Sequence, residues 1–220
     1  MDARIDMKSL LKTLPLQIAG QLADAITVGN LPAGARLRET ELAAAYVVSR
    51  ATIRESLRLL EQRGLVSIQP QRGVHVTQLS AKELRDLFAV RASLLSTASR
   101  LAAERCTQND AVILAEKLAA LGKSVDSKSA YISQSTALID FITVMADNEI
   151  LANYIRDLAL RIGRYVRIGL AGQERRERSL SVWKQTIEAI IAGKPEKAGL
   201  KHYRLAMQNR DAALGQFDKS

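Results

Sequence analysis

The chain has 220 residues, 47% of them hydrophobic and 25% charged. This is ordinary globular material, too apolar for intrinsic disorder. Charged residues break every apolar stretch well short of the roughly 18 residues a membrane helix requires, which argues against a spanning protein. One cysteine, Cys106, cannot form an internal disulfide or a cysteine-based metal site. Met1 to Lys12 carries Asp2 and Asp6 among its basic residues and lacks the apolar run of an export signal, so a cytoplasmic protein is expected.

The net charge of +9 favours a polyanionic partner. It is spread along the chain: 10 Lys and Arg against 7 Asp and Glu through Leu79, and 22 against 16 beyond it. With only 4% aromatic residues, a base-stacking surface for single-stranded nucleic acid is not expected.

In chain order, Leu16, Ala19, Leu22, Ala23 and Ile26 recur at helical spacing from Pro15 until Gly29-Asn30. Leu31-Pro32-Ala33-Gly34 is a turn, and Thr40 to Tyr46 is a short helix expected to carry Leu42 and Ala45 inward. Ser49 occupies an N-cap position and opens a helix from Arg50 to Arg63, with Ile53, Leu57 and Leu60 as its apolar face and Gly64 as its stop. Leu65 to Gln69 alternates like a strand, Gln71-Arg72-Gly73 turns, and Val74 to Thr77 returns. The order is that of a winged helix-turn-helix with a small β-hairpin.

The chain divides near Ser80, with no low-complexity linker, into segments 1–79 and 80–220. Ser80 to Glu83 spells a capping box opening a helix to about Arg105. Thr107 to Asp110 caps a second helix that ends at Gly122. Further helices are expected over Ser129 to Ala146, Asn148 to Leu170, Glu174 to Ala192 and Pro195 to Leu214. No strand pattern interrupts them, so the fold class is mainly α, the second segment being an antiparallel all-helical bundle.

Arg50, Arg54 and Arg58 follow one another at four-residue intervals, roughly opposite the apolar face of their helix. A guanidinium presents a planar fork matching guanine O6 and N7 or a phosphate. A recognition helix sets its N-terminal residues on base edges, which makes Arg50, Thr52 and Arg54 the expected readers. Ser49 and the free N–H groups beside it suit a phosphate. The competing reading is a solvated helix face, its arginines paired with Glu55 and Glu61.

Leu31 to Ala43, with Gly34, Leu37, Glu39, Leu42 and Ala43 in register, resembles the G-x-x-L-x-E-x-x-L-A signature of the GntR family of bacterial transcriptional regulators. Val48 to Val66 resembles that family's V-S-R-x-x-[VI]-R-E-A-L-x-x-L-x-x-x-G-L-V, and Arg72-Gly73 matches its wing tip. The resemblance covers Pro15 to Thr77. It implies DNA contacts at Thr40, Ser49, Arg50, Thr52 and Arg54 and a minor-groove approach by Arg72 and Gly73. Two positions depart from the pattern: Thr52 replaces a frequent proline, and Val47 replaces a glycine. A left-handed backbone at Val47 would cost about 1 kcal/mol or more, so a slightly different turn is expected there.

The helical segment is similar to the FadR-like subgroup, which implies a dimerisation and effector-binding domain with a pocket for a small acid or acyl derivative. Many members hold a divalent metal with one Asp and three His. By spacing those ligands fall on Ser135, Ile139, Trp183 and near Leu205, none of which is an Asp or His. His75 lies in the wing and His202 one turn from the expected place. A lone imidazole is not a transition-metal site, so no metal and no cofactor are expected. Arg91, Arg161 and Arg164 are the candidate effector residues, each able to clamp a carboxylate, with Tyr131, Gln134 or Tyr165 adding hydrogen bonds. Trp183 is expected in core packing, and Arg175, Arg176 and Arg178 at an exposed helix start.

No nucleophile elbow, phosphate-cradling glycine loop or His-Asp-Glu cluster supports an enzyme. The expectation is a DNA-binding regulator, a homodimer on a palindromic double-stranded operator, responsive to a small organic ligand and without a membrane partner. The alternative is a helical dimeric scaffold that binds DNA but no effector.

Overall fold

A computed structural model describes residues 13–217; the reading of Met1 to Lys12 lies outside them. The chain forms two compact units that meet between Gln78 and Leu79.

The first unit begins with α1 (Leu14–Val28), which buries Ile18, Ala19, Leu22, Ala23 and Ile26. A two-residue strand, β1 (Arg36–Leu37), leads into α2 (Glu39–Tyr46) and α3 (Arg50–Gln62). Ser49 caps α3 by accepting the Thr52 N–H, and Ile53, Leu57 and Leu60 are buried as the spacing predicts. α1 packs against α3, so five buried residues of one amphipathic stripe meet three of another and close the core.

Strands β2 (Val66–Gln69) and β3 (Gly73–Val76) form the expected hairpin. β1 adds to it, giving a three-stranded antiparallel sheet in the order β1-β3-β2, with Arg36 opposite His75 and Leu37 opposite Val74. A two-residue strand has no periodicity to read, and its partner supplies the pattern.

Two expectations for this unit need correction. In α2 the buried residue is Ala43, while Leu42 is half-buried and Ala45 exposed. A two-turn helix lays one narrow stripe on its neighbour, and the small Ala43 lets the backbones approach. Val47 does adopt the left-handed conformation, with φ +54° and ψ +48°, and its side chain is 90% exposed. The turn between α2 and α3 keeps the geometry that glycine would favour, and a β-branched residue bears it.

The second unit is helical throughout its described residues: α4 (Ala81–Arg105), α5 (Gln108–Lys123), α6 (Lys128–Met145), α7 (Glu149–Gly169), α8 (Gln173–Ile191) and α9 (Pro195–Phe217). Capping boxes at Ser80/Glu83 and Thr107/Asp110 start α4 and α5. Asn148 caps α7 by accepting the Leu151 N–H. α4 runs along α9 and also touches α6, α7 and α8, which makes it the central helix. Its buried positions include two polar side chains, Arg91 and Ser99. The main core gathers around Leu95, Leu114, Tyr131, Leu138, Ile142, Trp183 and Ile187. A smaller one joins Leu84, Phe88, Ile162 and Tyr165, and the Tyr165 hydroxyl accepts the Leu79 N–H at 2.9 Å. At Gly169 a Cβ would stand 3.1 Å from the Ala213 nitrogen and 3.2 Å from the Asn209 carbonyl, so α7 and α9 touch there only because that side chain is missing.

The first turn of α8 departs from the expected exposed start. Arg176 is 4% exposed. Its Nε donates to the Val125 carbonyl at 2.6 Å, and its Nη1 donates to the carbonyls of Leu170 and Ala171 at 3.0 and 2.7 Å. These carbonyls close α7 and the α5–α6 turn, so one guanidinium satisfies acceptors that the helix ends leave open. Arg178 does stay on the surface, paired with Glu174.

Candidate nucleic-acid interface and ligand cavity

In the first unit the residues expected to read DNA sit on two elements. Thr40, Ser49, Arg50 and Arg54 are exposed along α2 and the start of α3, and Thr52 is half-buried. The Ser49 hydroxyl lies 2.9 Å from the Thr52 hydroxyl and accepts the Thr52 N–H at 3.1 Å. Arg72 is exposed in the β2–β3 turn, between Gln71 at φ +63° and Gly73 at φ +89°. The Arg36 guanidinium lies over Gly73, 3.4 Å from where a Cβ would be.

Arg50 and Arg54 do not pair with Glu55 or Glu61. Both converge on Glu39, the first residue of α2. Arg54 donates from Nε to Glu39 Oε1 at 3.2 Å and from Nη2 to Oε2 at 2.9 Å, and Arg50 Nη2 stands 3.8 Å from the same Oε2. The hydrogen bonds from Arg54, reinforced by the charges of Arg54 and Arg50, hold the Glu39 carboxyl below its ordinary range. Glu61 is engaged elsewhere, accepting the Ile68 N–H at 2.9 Å. Glu39 stands in the family-like motif around α2, but its link to Arg54 spans fifteen residues and two helices. Helical i, i+4 reasoning does not reach that far.

In the second unit a cavity of about 50 Å³ lies inside the bundle, with Arg91, Ser135, Ser179, Trp183, His202 and Asn209 on its wall. Arg91 is 6% exposed, and its Nε is buried with no hydrogen-bond partner. Among the described residues no carboxylate pairs with it, and burial pushes its pKa down to about 10. His202 is 1% exposed. Its Nδ1 lies 2.6 Å from the Ser99 hydroxyl, and its Nε2 is without a partner. Burial, followed by the charge of Arg91, lowers the His202 pKa to about 3, so the ring is neutral at physiological pH. The Ser135 hydroxyl is also buried and unpartnered. The wall therefore combines one buried cation with unused polar atoms, and buried polar groups ordinarily have partners.

Arg91 is the one of the three expected arginines on the cavity wall. Arg161 is exposed and Arg164 half-buried, and neither lines the cavity. The α7 residues that do are Val166 and Leu170; at about 100° per residue, Arg161 points roughly half a turn away from Leu170. Gln134 is also off the wall, and Tyr165 is committed to Leu79. Tyr131 is fully buried, with its hydroxyl beside Ser179. Trp183 serves both as core and as cavity wall.

Ser135, Ile139, Trp183 and Leu205, positions the sequence places at a family metal site, all line this one cavity. Their side chains supply a single hydroxyl and no carboxylate or imidazole. Among the described residues no group of three or more His, Cys, Asp or Glu could hold a metal ion. The donor set does not fit a divalent transition metal.

Residues 14–76 match the bacterial regulatory proteins of the gntR family, and residues 86–205 match the FCD domain. The chain belongs to the GntR family. It is a transcriptional regulator with a FadR-like helical domain, and not an enzyme. It is similar to the HTH-type transcriptional regulator YdhC of Bacillus subtilis (strain 168), with 29% identity over 89% of this chain and 88% of the relative. It also resembles the Nta operon transcriptional regulator of Aminobacter aminovorans, with 32% identity over 59% of this chain and 62% of that one. Among solved structures, E. coli McbR/YncC superposes with a TM-score of 0.81 at 22% identity, covering 94% of this chain and 100% of that chain. That likeness shows the fold. No helix among the described residues is long and apolar enough to cross a membrane.

Proposed function

We propose that this regulator is a cytoplasmic homodimeric repressor of a palindromic operator, released or retained by a small organic acid that binds without metal. The observation that carries the effector reading is Arg91, a buried guanidinium on the wall of a small cavity, with no carboxylate among the described residues to neutralise it. An unpaired buried charge is expensive, and a ligand carboxylate would supply the missing partner through a bidentate pair. His202 Nε2 and the Ser135 hydroxyl add neutral hydrogen-bonding atoms beside it. The cavity volume favours an acid of a few heavy atoms over a long acyl chain. In the first unit, Arg50, Thr52 and Arg54 approach base edges, Thr40 and Ser49 hold the backbone, and Arg72 and Gly73 enter the minor groove. Ligand-to-DNA coupling in such systems is typically about 1–3 kcal/mol.

The test is a thermal-shift screen of the purified protein against short carboxylic acids, hydroxy acids, sugar acids and acyl thioesters, each with and without divalent metal or chelator. The expected result is a shift from a short acid that neither metal nor chelator alters. A flat screen would favour a scaffold that binds DNA without an effector, and a shift requiring metal would overturn the metal-free site. Binding to genomic duplex fragments, weakening steeply with salt and tightest on one palindrome, tests the DNA reading separately.

A further inference from the structure

The carboxylate of Glu39 occupies one particular edge of the Arg54 guanidinium. A guanidinium has five N–H donors in a fixed plane. Glu39 takes the Nε–H at 3.2 Å and one Nη2–H at 2.9 Å, which is the side edge of the group. The end edge, formed by Nη1 and the second hydrogen of Nη2, is left over. That edge is a fork suited to guanine O6 and N7. The Arg54 side chain is 52% exposed while Glu39 is 24% exposed, so the anchor is the more enclosed partner and the fork the more open one.

We infer that Glu39 is a positioning residue for base readout: it clamps the side edge of Arg54 so that the end edge is presented, already oriented, to a guanine. The inference rests on the reading of Arg54 as a base contact. An arginine side chain has several rotatable bonds, and fixing them beforehand removes an entropy cost that would otherwise fall on the complex. The clamp also restricts which edge can face the DNA and fixes its direction, as a contact to one base requires. Arg50, 3.8 Å from the same oxygen, is drawn toward the same carboxylate by charge without sharing the bidentate geometry. A carboxylate this close to a DNA-facing surface should weaken binding to phosphates, so its presence calls for a compensating role in selectivity.

The experiment is selection from a randomised duplex library, followed by sequencing, with the wild type, R54A, E39Q, E39A and the R54A/E39Q double variant. Thermal melting of each variant controls for folding. The wild type should prefer guanine at a defined position, and R54A should flatten that preference about tenfold or more. E39Q, which keeps the shape but cannot accept both bonds, should flatten the same position several-fold and leave other positions unmoved. In the R54A background E39Q should add nothing, because the two residues act as one unit. E39A should behave as E39Q does.

A uniform gain in affinity on all sequences with the guanine preference intact would make Glu39 a simple electrostatic brake and overturn the inference. So would a uniform loss with lowered melting, which would make it a structural ion pair. An unchanged guanine preference in E39Q and E39A, while R54A loses it, would refute the positioning role alone. If R54A itself changes no base preference, Arg54 does not read bases, and the underlying DNA reading fails with it.

Discussion

Replacing Arg91 with methionine should separate the stability of the helical unit from its ligand response. Arg91 is 6% exposed, and burial lowers its pKa from the ordinary guanidinium range to about 10. At about 1.4 kcal/mol per pKa unit, this corresponds to a desolvation cost of about 3 kcal/mol. The guanidinium is charged in both the folded and unfolded states at pH 7, so the whole cost falls on the folded state there. It is relieved only as pH rises above about 10, where the folded protein would release the proton before the unfolded one does. Methionine keeps an unbranched, adaptable side chain and removes the charge. It is shorter than arginine, and the extra void offsets part of the gain.

The expected net effect is about 2 kcal/mol of added stability in the ligand-free protein. For a unit of this size that is a rise in Tm of about 4–8 °C. Calorimetry, with urea denaturation followed by circular dichroism, reads the change directly. R91M should also lose the acid-dependent thermal shift, so the variant is more stable and ligand-blind at once. If R91M melts at or below the wild type without ligand, the buried guanidinium is better satisfied than its unpaired Nε suggests. If R91M still responds to the acid, the clamp lies elsewhere.

V47G should stabilise the first unit by about 1 kcal/mol, because glycine relieves the left-handed penalty and only part of the gain is lost to its freer unfolded chain; V47A should gain less, and destabilisation by V47G in urea titration would contradict the strain. His202, neutral when folded down to about pH 3, makes the unfolded state bind the extra proton below about pH 6.5. Stability carried by this residue is therefore present above pH 6.5 and falls on acidification, by about 2–3 kcal/mol between pH 6.5 and 4.5. H202Q should show a flatter acid limb in parallel denaturation curves, and matching limbs would rule out the linkage. R176M should cost about 1–3 kcal/mol, since the Leu170 carbonyl would be left buried without a donor and the carbonyls of Val125 and Ala171 would lose theirs; a loss below about 0.5 kcal/mol would show that other donors replace it.

The division of labour between sequence and tertiary structure follows the range of each interaction. Caps and stripes are local, and they were legible: Ser49, Ser80 and Thr107 open their helices, and Ile53, Leu57 and Leu60 face the core. The family-like motifs placed Arg50 and Arg54, the arginines expected to read DNA, on one helix. They also placed the four substituted metal positions, which the fold then gathers around one cavity. Local spacing could not locate Ala43 as the buried residue of α2, because a two-turn helix carries too little pattern. Nor could it show that Val47 keeps the left-handed turn, since neighbouring helices fix that backbone.

Only packing decided the fate of the charges. Arg91, Arg161, Arg164 and Arg176 all read as cations on long helices. One reaches the wall of a small cavity without a partner, one lies exposed on the far side of α7, one is half-buried off the cavity, and one closes two helix ends. Glu39 likewise meets Arg54 across fifteen residues, through the docking of α2 on α3. Sequence determines these elements through forces acting within a turn or two of helix. Burial, and with it the energy of a charge, depends on neighbours distant in the chain, which only the tertiary structure supplies.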